Sequence, residues 1–153
     1  LPGGEHRIAA PGKVKAAARV IFASEMPLGT APGAGPLPDK KIVELIVNSR
    51  VVASREVPAD DKEHDLEWDI DVDRSSWVAL RQIPQVHSNP VNVLVGGKPI
   101  RASRESALWC IGVIEQLWKV RGKGIAEAER AEAEKTFQWA IGEYRRIAQE
   151  SPE

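Results

Sequence analysis

The stretch SSWVALRQIPQVHSNPVNVLVGGKPIRASRESALWC, from Ser75 to Cys110, decides the fold, because it passes from strand spacing to helix spacing within a few residues. Trp77 to Ile83 and Val91 to Val95 are short runs rich in β-branched and apolar residues. A loop from Pro84 to Pro90 joins them, and Gly96-Gly97 supplies a turn after the second. From Ser103 the period changes. Ser103 is a good helix N-cap, and Ala107, Cys110, Ile111, Ile114, Leu117 and Trp118 recur every three or four residues, which places them on one helical face.

Upstream, the same grammar gives more strands. Val14 to Ser24 (VKAAARVIFAS) reads as one, and Lys41 to Val57 as two strands about an Asn48-Ser49 turn, since Asn tolerates the left-handed backbone of tight hairpins. Leu66 to Val72 alternates Leu66, Trp68, Ile70 and Val72 with Glu67, Asp69 and Asp71, so one face is for the core and the other for water. Residues 26–39, MPLGTAPGAGPLPD, are too rich in Pro and Gly for any regular element and are expected to form a mobile loop. Six or so short strands at this spacing predict a mainly β chain: an immunoglobulin-like antiparallel β-sandwich over 1–102.

Downstream, Gly122-Lys123-Gly124 ends the first helix near Val120, and Ala126 to Gln149 resumes helical spacing through Ala133, Phe137, Ala140, Tyr144 and Ile147. Residues 103–150 are therefore expected to form an antiparallel helical hairpin packed on the sandwich. The expected core is Trp68, Ile70, Trp77, Ala79, Val93, Val95, Ile111, Ile114 and Phe137. Trp109 and Trp139 fall off these stripes and are candidates for a partner surface.

Composition removes several classes of function. At 153 residues and net charge -1 the chain has no excess of basic residues for a nucleic-acid backbone, so nucleic acid is not an expected partner. Cys110 is the only cysteine, which leaves no internal disulfide and no cysteine-based zinc site. No apolar run approaches the roughly 20 residues of a membrane span. The chain opens on Leu1 and its only methionine is Met26, so truncation or processing is expected.

The residue types that carry chemistry do not fall into working patterns. Asp69-x-Asp71-x-Asp73 resembles the start of a calcium loop, but the sixth position is Arg74 and the twelfth is Leu80, where glycine and a bidentate carboxylate are required. The alternation already explains these acids as the wet face of a strand. His6, His64 and His87 share no metal-ligand spacing. Ser75, Ser76, Ser88, Ser103 and Ser106 lack a nucleophile-elbow context and read as turn and cap residues, while Cys110 sits on the apolar stripe as a structural thiol. Arg81, Lys98, Arg101 and Arg104 form a basic cluster at the strand-to-helix junction, read either as an anion site or as partners of the abundant carboxylates.

Four segments carry a family likeness: Ser75-Ser76-Trp77-Val78-Ala79-Leu80-Arg81, His87-Ser88-Asn89-Pro90-Val91, Gly97-Lys98-Pro99-Ile100-Arg101-Ala102-Ser103 and Ala107-Leu108-Trp109-Cys110. Together they resemble the C-terminal region of the CehA/McbA family of metal-dependent hydrolases, over roughly Val43 to Ile147. That resemblance implies a catalytic domain of the PHP type N-terminal to the segment and outside this sequence, with divalent metals belonging to that domain. It transfers no catalytic, cofactor or metal residue to this chain. The expected function is a non-catalytic accessory domain that packs on or positions the catalytic domain, with His87, Asn89, Arg101 and Arg104 as contact surface, Pro84 and Pro90 restricting the loop around His87, and self-association where the partner is missing. The alternative is an autonomous sandwich-type module for a peptide, glycan or protein.

Overall fold

In the computed structural model, which describes residues 3–25, 38–83 and 86–152, eight strands precede two helices. The strands are β1 (Glu5–Ile8), β2 (Gly12–Ile21), β3 (Lys40–Val47), β4 (Arg50–Pro58), β5 (Glu63–Val72), β6 (Ser76–Gln82), β7 (Val86–His87) and β8 (Val91–Val95). Helices α1 (Arg104–Arg121) and α2 (Glu127–Glu150) are joined through a 3-10 turn, Gly122–Gly124. Pro84 and all but the last two residues of the loop expected over 26–39 lie outside the described residues.

The local signals work as their chemistry dictates. Asn48 and Ser49 take positive φ, 47° and 70°, the backbone of a two-residue turn whose twist matches the strands it joins. The Asn48 side chain then ties that turn to β6: its Nδ2 donates to Ser76 Oγ at 2.9 Å, and its Oδ1 accepts from the Trp77 N–H at 3.1 Å. Ser75, at the same end of β6, is buried and ties it to the end of β8, donating to Lys98 O at 2.6 Å and accepting from the Val95 N–H at 2.9 Å.

The strands form two sheets. One runs β1-β8-β6-β3-β4 with β7 added beside β6, and the other is the pair β2-β5. All pairings are antiparallel except β1 with β8, which is parallel. The sequence reading assigned no strand at Glu5–Ile8 and expected only antiparallel pairs. EHRI shows neither alternation nor length; its partner β8, five residues of VNVLV, supplies the order.

Both sheets feed one core. Val43, Leu45, Val57, Val78, Val93 and Val95 from the larger sheet meet Leu66, Trp68, Ile70 and Val72 from β5. Trp77 and Ala79, expected in this core, are only half-buried and lie on the opposite face of β6 from Val78. The cause is the period of two: Ser76, Val78 and Leu80 share the inner face, so assigning Trp77 inward shifts every residue of the strand to the wrong side.

The chain divides into two compact units, Leu1–Ile100 and Arg101–Glu153. In the second, Ser103 caps α1 by accepting from the Ser106 N–H at 3.1 Å, as expected of a serine there. Ala107 and Ile111 are buried, while Ile114 and Phe137 are half-buried and Leu117, placed on the same stripe by spacing, is exposed. Gly122 is fixed by close approach: a Cβ there would come within 3.1 Å of the Trp118 ring, which itself stands 4.9 Å from Phe137. Arg130 Nη2 donates to Gly122 O at 3.1 Å, so the start of α2 caps the end of α1.

Leu45 is 1% exposed at the centre of the strand core, and Leu45→Ala is expected to lower stability by about 2–5 kcal/mol in urea titration. Ser49→Gly should act in the opposite direction, raising stability by about 0.5–1 kcal/mol, since glycine meets positive φ without the strain that serine bears.

Candidate interaction surfaces

Arg101 sits just ahead of the α1 cap, beside the last turn of α2. Its Nε lies 2.6 Å from Glu150 Oε2, and Arg146 Nη1 takes the other oxygen of the same carboxylate at 2.8 Å while its Nη2 holds Glu143 at 2.7 Å. With only 17% of its side chain exposed, Arg101 is a clasp between the first and last turns of the hairpin. Arg104 is exposed, and its backbone N–H donates to Pro152 O at 3.4 Å. Of the remaining basic residues at the junction, Arg81 pairs with Glu44 at 2.7 Å.

His87 and Asn89 are exposed residues of the strand unit, so the four expected contact residues divide two and two between the units. His87 Nδ1 lies 3.3 Å from Ser88 O. Both residues border hollows beside β2. One, of about 510 Å³, is lined by Lys13 to Ala18 of β2, by Val78, Leu80, Val91 and Val93 of the opposite sheet, and by Asn89. The other, of about 580 Å³, is lined by Ala17 to Phe22, Val43, Gln82 and His87 among others. They share Ala17, Ala18, Leu80 and Ser88, so a groove follows β2 along its length. Sequence reasoning missed this groove. Its one signal was the run Ala16-Ala17-Ala18, whose small side chains leave volume at a strand edge.

On α1, two seams run side by side. Ala107, Ile111, Ile114 and Trp118 follow four-three-four spacing and are buried or half-buried. Trp109, Val113, Leu117 and Val120 form a second apolar stripe about a quarter-turn or more away, and all four are exposed, Trp109 by 69%. Cys110 lies between the two seams, half-buried, as a free thiol. Trp139 of α2 is 68% exposed, with Lys135 and Glu143 one turn to either side. These are the two tryptophans that spacing left for a partner.

Other candidates have structural roles. Asp69 and Asp71 lie on the outer face of β5, opposite Lys15 and Lys13; Asp71 pairs with Lys13 at 3.2 Å. His64 Nε2 lies 2.8 Å from Asp60, whose carboxyl it holds below the ordinary range by hydrogen bonding. Ser88 accepts from the Leu80 N–H at 3.0 Å. Among the described residues no three His, Cys, Asp or Glu side chains cluster closely enough to hold a metal ion. Among the described residues no helix is long and apolar enough to cross a membrane.

Comparison of the chain with protein-family models, curated proteins and solved structures finds no match.

Glu150 is held below its ordinary value of 4.5 first by its hydrogen bond to Arg101 and then by Arg146. A carboxylate depressed in the folded state contributes stability that is complete above the ordinary value and disappears as pH falls through the folded one. Acidification from pH 6 to pH 3 is therefore expected to lower the helical melting temperature more in the native chain than in Glu150→Gln, measured by circular dichroism.

Proposed function

We propose that the strand unit is an immunoglobulin-like sandwich, and that the chain is a non-catalytic accessory region, similar to the C-terminal region of CehA/McbA-type metallohydrolases, that packs on a PHP-type catalytic domain of the same protein. Strand order supports the sandwich. β3, β6 and β8 lie side by side in one sheet and β2 and β5 pair in the other, as the third, sixth and seventh strands and the second and fifth do in immunoglobulin-type sandwiches.

The observation that carries the accessory role is the second stripe of α1. A helix whose apolar residues turn two faces to neighbours belongs inside a larger assembly, and the α2 seam accounts for only one of them. Trp109 is the natural anchor, since a tryptophan in a protein contact removes about 150–250 Å² from water. In this reading the partner is the PHP-type catalytic domain, and the metal chemistry belongs to it. Exposed Arg104 then adds a polar contact beside the stripe, His87 and Asn89 are contact residues of the strand unit, and Arg101 clasps the two ends of the hairpin.

The test is binding between this chain and a separately expressed PHP-type domain from the same reading frame, followed by sedimentation. Trp109→Glu and Leu117→Glu, each checked for retained helicity, are expected to weaken the complex at least about tenfold, or about 1.4 kcal/mol. The isolated chain is expected to show no turnover on ester and phosphodiester substrates. Unchanged binding by both variants would sink the accessory reading, as would stoichiometric metal with turnover that His87→Ala abolishes.

A further inference from the structure

β2 is ten residues long and, among the described residues, pairs with β5 only. Every second residue along it therefore aims its N–H and C=O at the side away from β5, into the groove described above, over about 33 Å of strand. An unpaired edge of that length is a template for another strand. We propose that this edge is a docking site for an extended acidic peptide, which adds to the β2–β5 sheet as a third strand.

The backbone supplies the pairing, and the groove supplies room. Ala16, Ala17 and Ala18 keep the middle of β2 low, and Val78, Leu80, Val91 and Val93 form an apolar floor for side chains that point inward from the incoming strand. Two polar atoms close to this groove have no partner among the described residues: Trp68 Nε1 and Gln82 Oε1, in side chains 8% and 5% exposed. One is a donor and the other an acceptor, and their side chains line the two halves of the groove. Buried polar groups are ordinarily satisfied, and a peptide main chain brings both complements.

Charge selects the partner. The outward positions of β2 include Lys13, Lys15 and Arg19, paired across the sheet with Asp71, Glu67 and Asp65 at 3.2, 2.8 and 2.8 Å. All three cations are more than half exposed, so they remain open on the other side. An added strand would lie about 4.8 Å from β2 and about 9.6 Å from the acids of β5. At physiological ionic strength the screening length is about 8 Å, so the nearer basic row outweighs the farther acidic one. The same cations oppose antiparallel β2-to-β2 pairing of two copies, which would bring like charges together. The surface is distinct from the α1 stripe and stands whatever covers that helix.

The probe is a synthetic peptide of about ten residues alternating Glu with Val, set against the same peptide with Lys for Glu and against a backbone N-methylated version of the acidic one. Titration into the whole chain labelled with nitrogen-15 should show the acidic peptide binding, slowed amide exchange along Gly12–Ile21 and a shifted Trp68 indole N–H. The Lys peptide and the N-methylated peptide should both bind at least about tenfold more weakly, and the double variant Lys13→Gln, Lys15→Gln should weaken the acidic peptide about three- to tenfold. Gln rather than Glu at these positions avoids setting like charges against β5. The proposal is overturned if no acidic peptide binds at millimolar concentration, if the Lys peptide binds as well, if binding leaves β2 amide exchange unchanged, or if the free chain already protects this edge by self-association.

Discussion

The strand unit depends on one row of side chains. Leu66, Trp68, Ile70 and Val72, every second residue of β5, are all buried, and they meet Val43, Leu45, Val57, Val78, Val93 and Val95 across the space between the sheets. Among the described residues the smaller sheet has only two strands, and the other, β2, turns inward small or half-exposed residues such as Val14, Ala16, Ala18 and Val20. β5 therefore supplies the fully buried apolar side chains of the smaller sheet, with Val14, Ala16 and Val20 of β2 packed beside them. The same imbalance explains the groove, because two strands cannot roof a five-strand path completely and the thinner of them is the one at the open side.

The outer face of that small sheet shows how a net charge of -1 conceals order. Lys13, Lys15 and Arg19 of β2 stand in register with Asp71, Asp69 and Asp65 of β5, and Glu63 and Glu67 extend the acidic row. Individually these exposed pairs add little stability. Collectively they fix which strand neighbours which, since a register slip of one residue would turn the charged row toward the core. They also leave each edge of the sheet with its own sign.

In the helical unit, packing and electrostatics divide the work differently. The seam of Ala107, Ile111, Ile114 and Trp118 joins α1 to α2, and Gly122 lets Trp118 close the turn. Arg101 and Arg146 converge on Glu150 to hold the start of the hairpin to its end. With those contacts made, the stripe from Trp109 to Val120 is left exposed on α1.

The sequence by itself determined what is written in local periodicity and turn chemistry. The alternation of β5, the Asn48-Ser49 reversal, the Ser103 cap and the Gly122 break each act through neighbours a few residues away, so the residue types suffice. The off-stripe positions of Trp109 and Trp139 were legible for the same reason. Tertiary structure decided the rest: that EHRI becomes a strand beside β8, that Val78 rather than Trp77 faces the core, that Arg101 is consumed by Glu150, and that β2 keeps an open edge. Each of these is set by a partner far along the chain, and a weak or two-sided pattern such as SWVALRQ is resolved only when the opposite sheet chooses which face to bury.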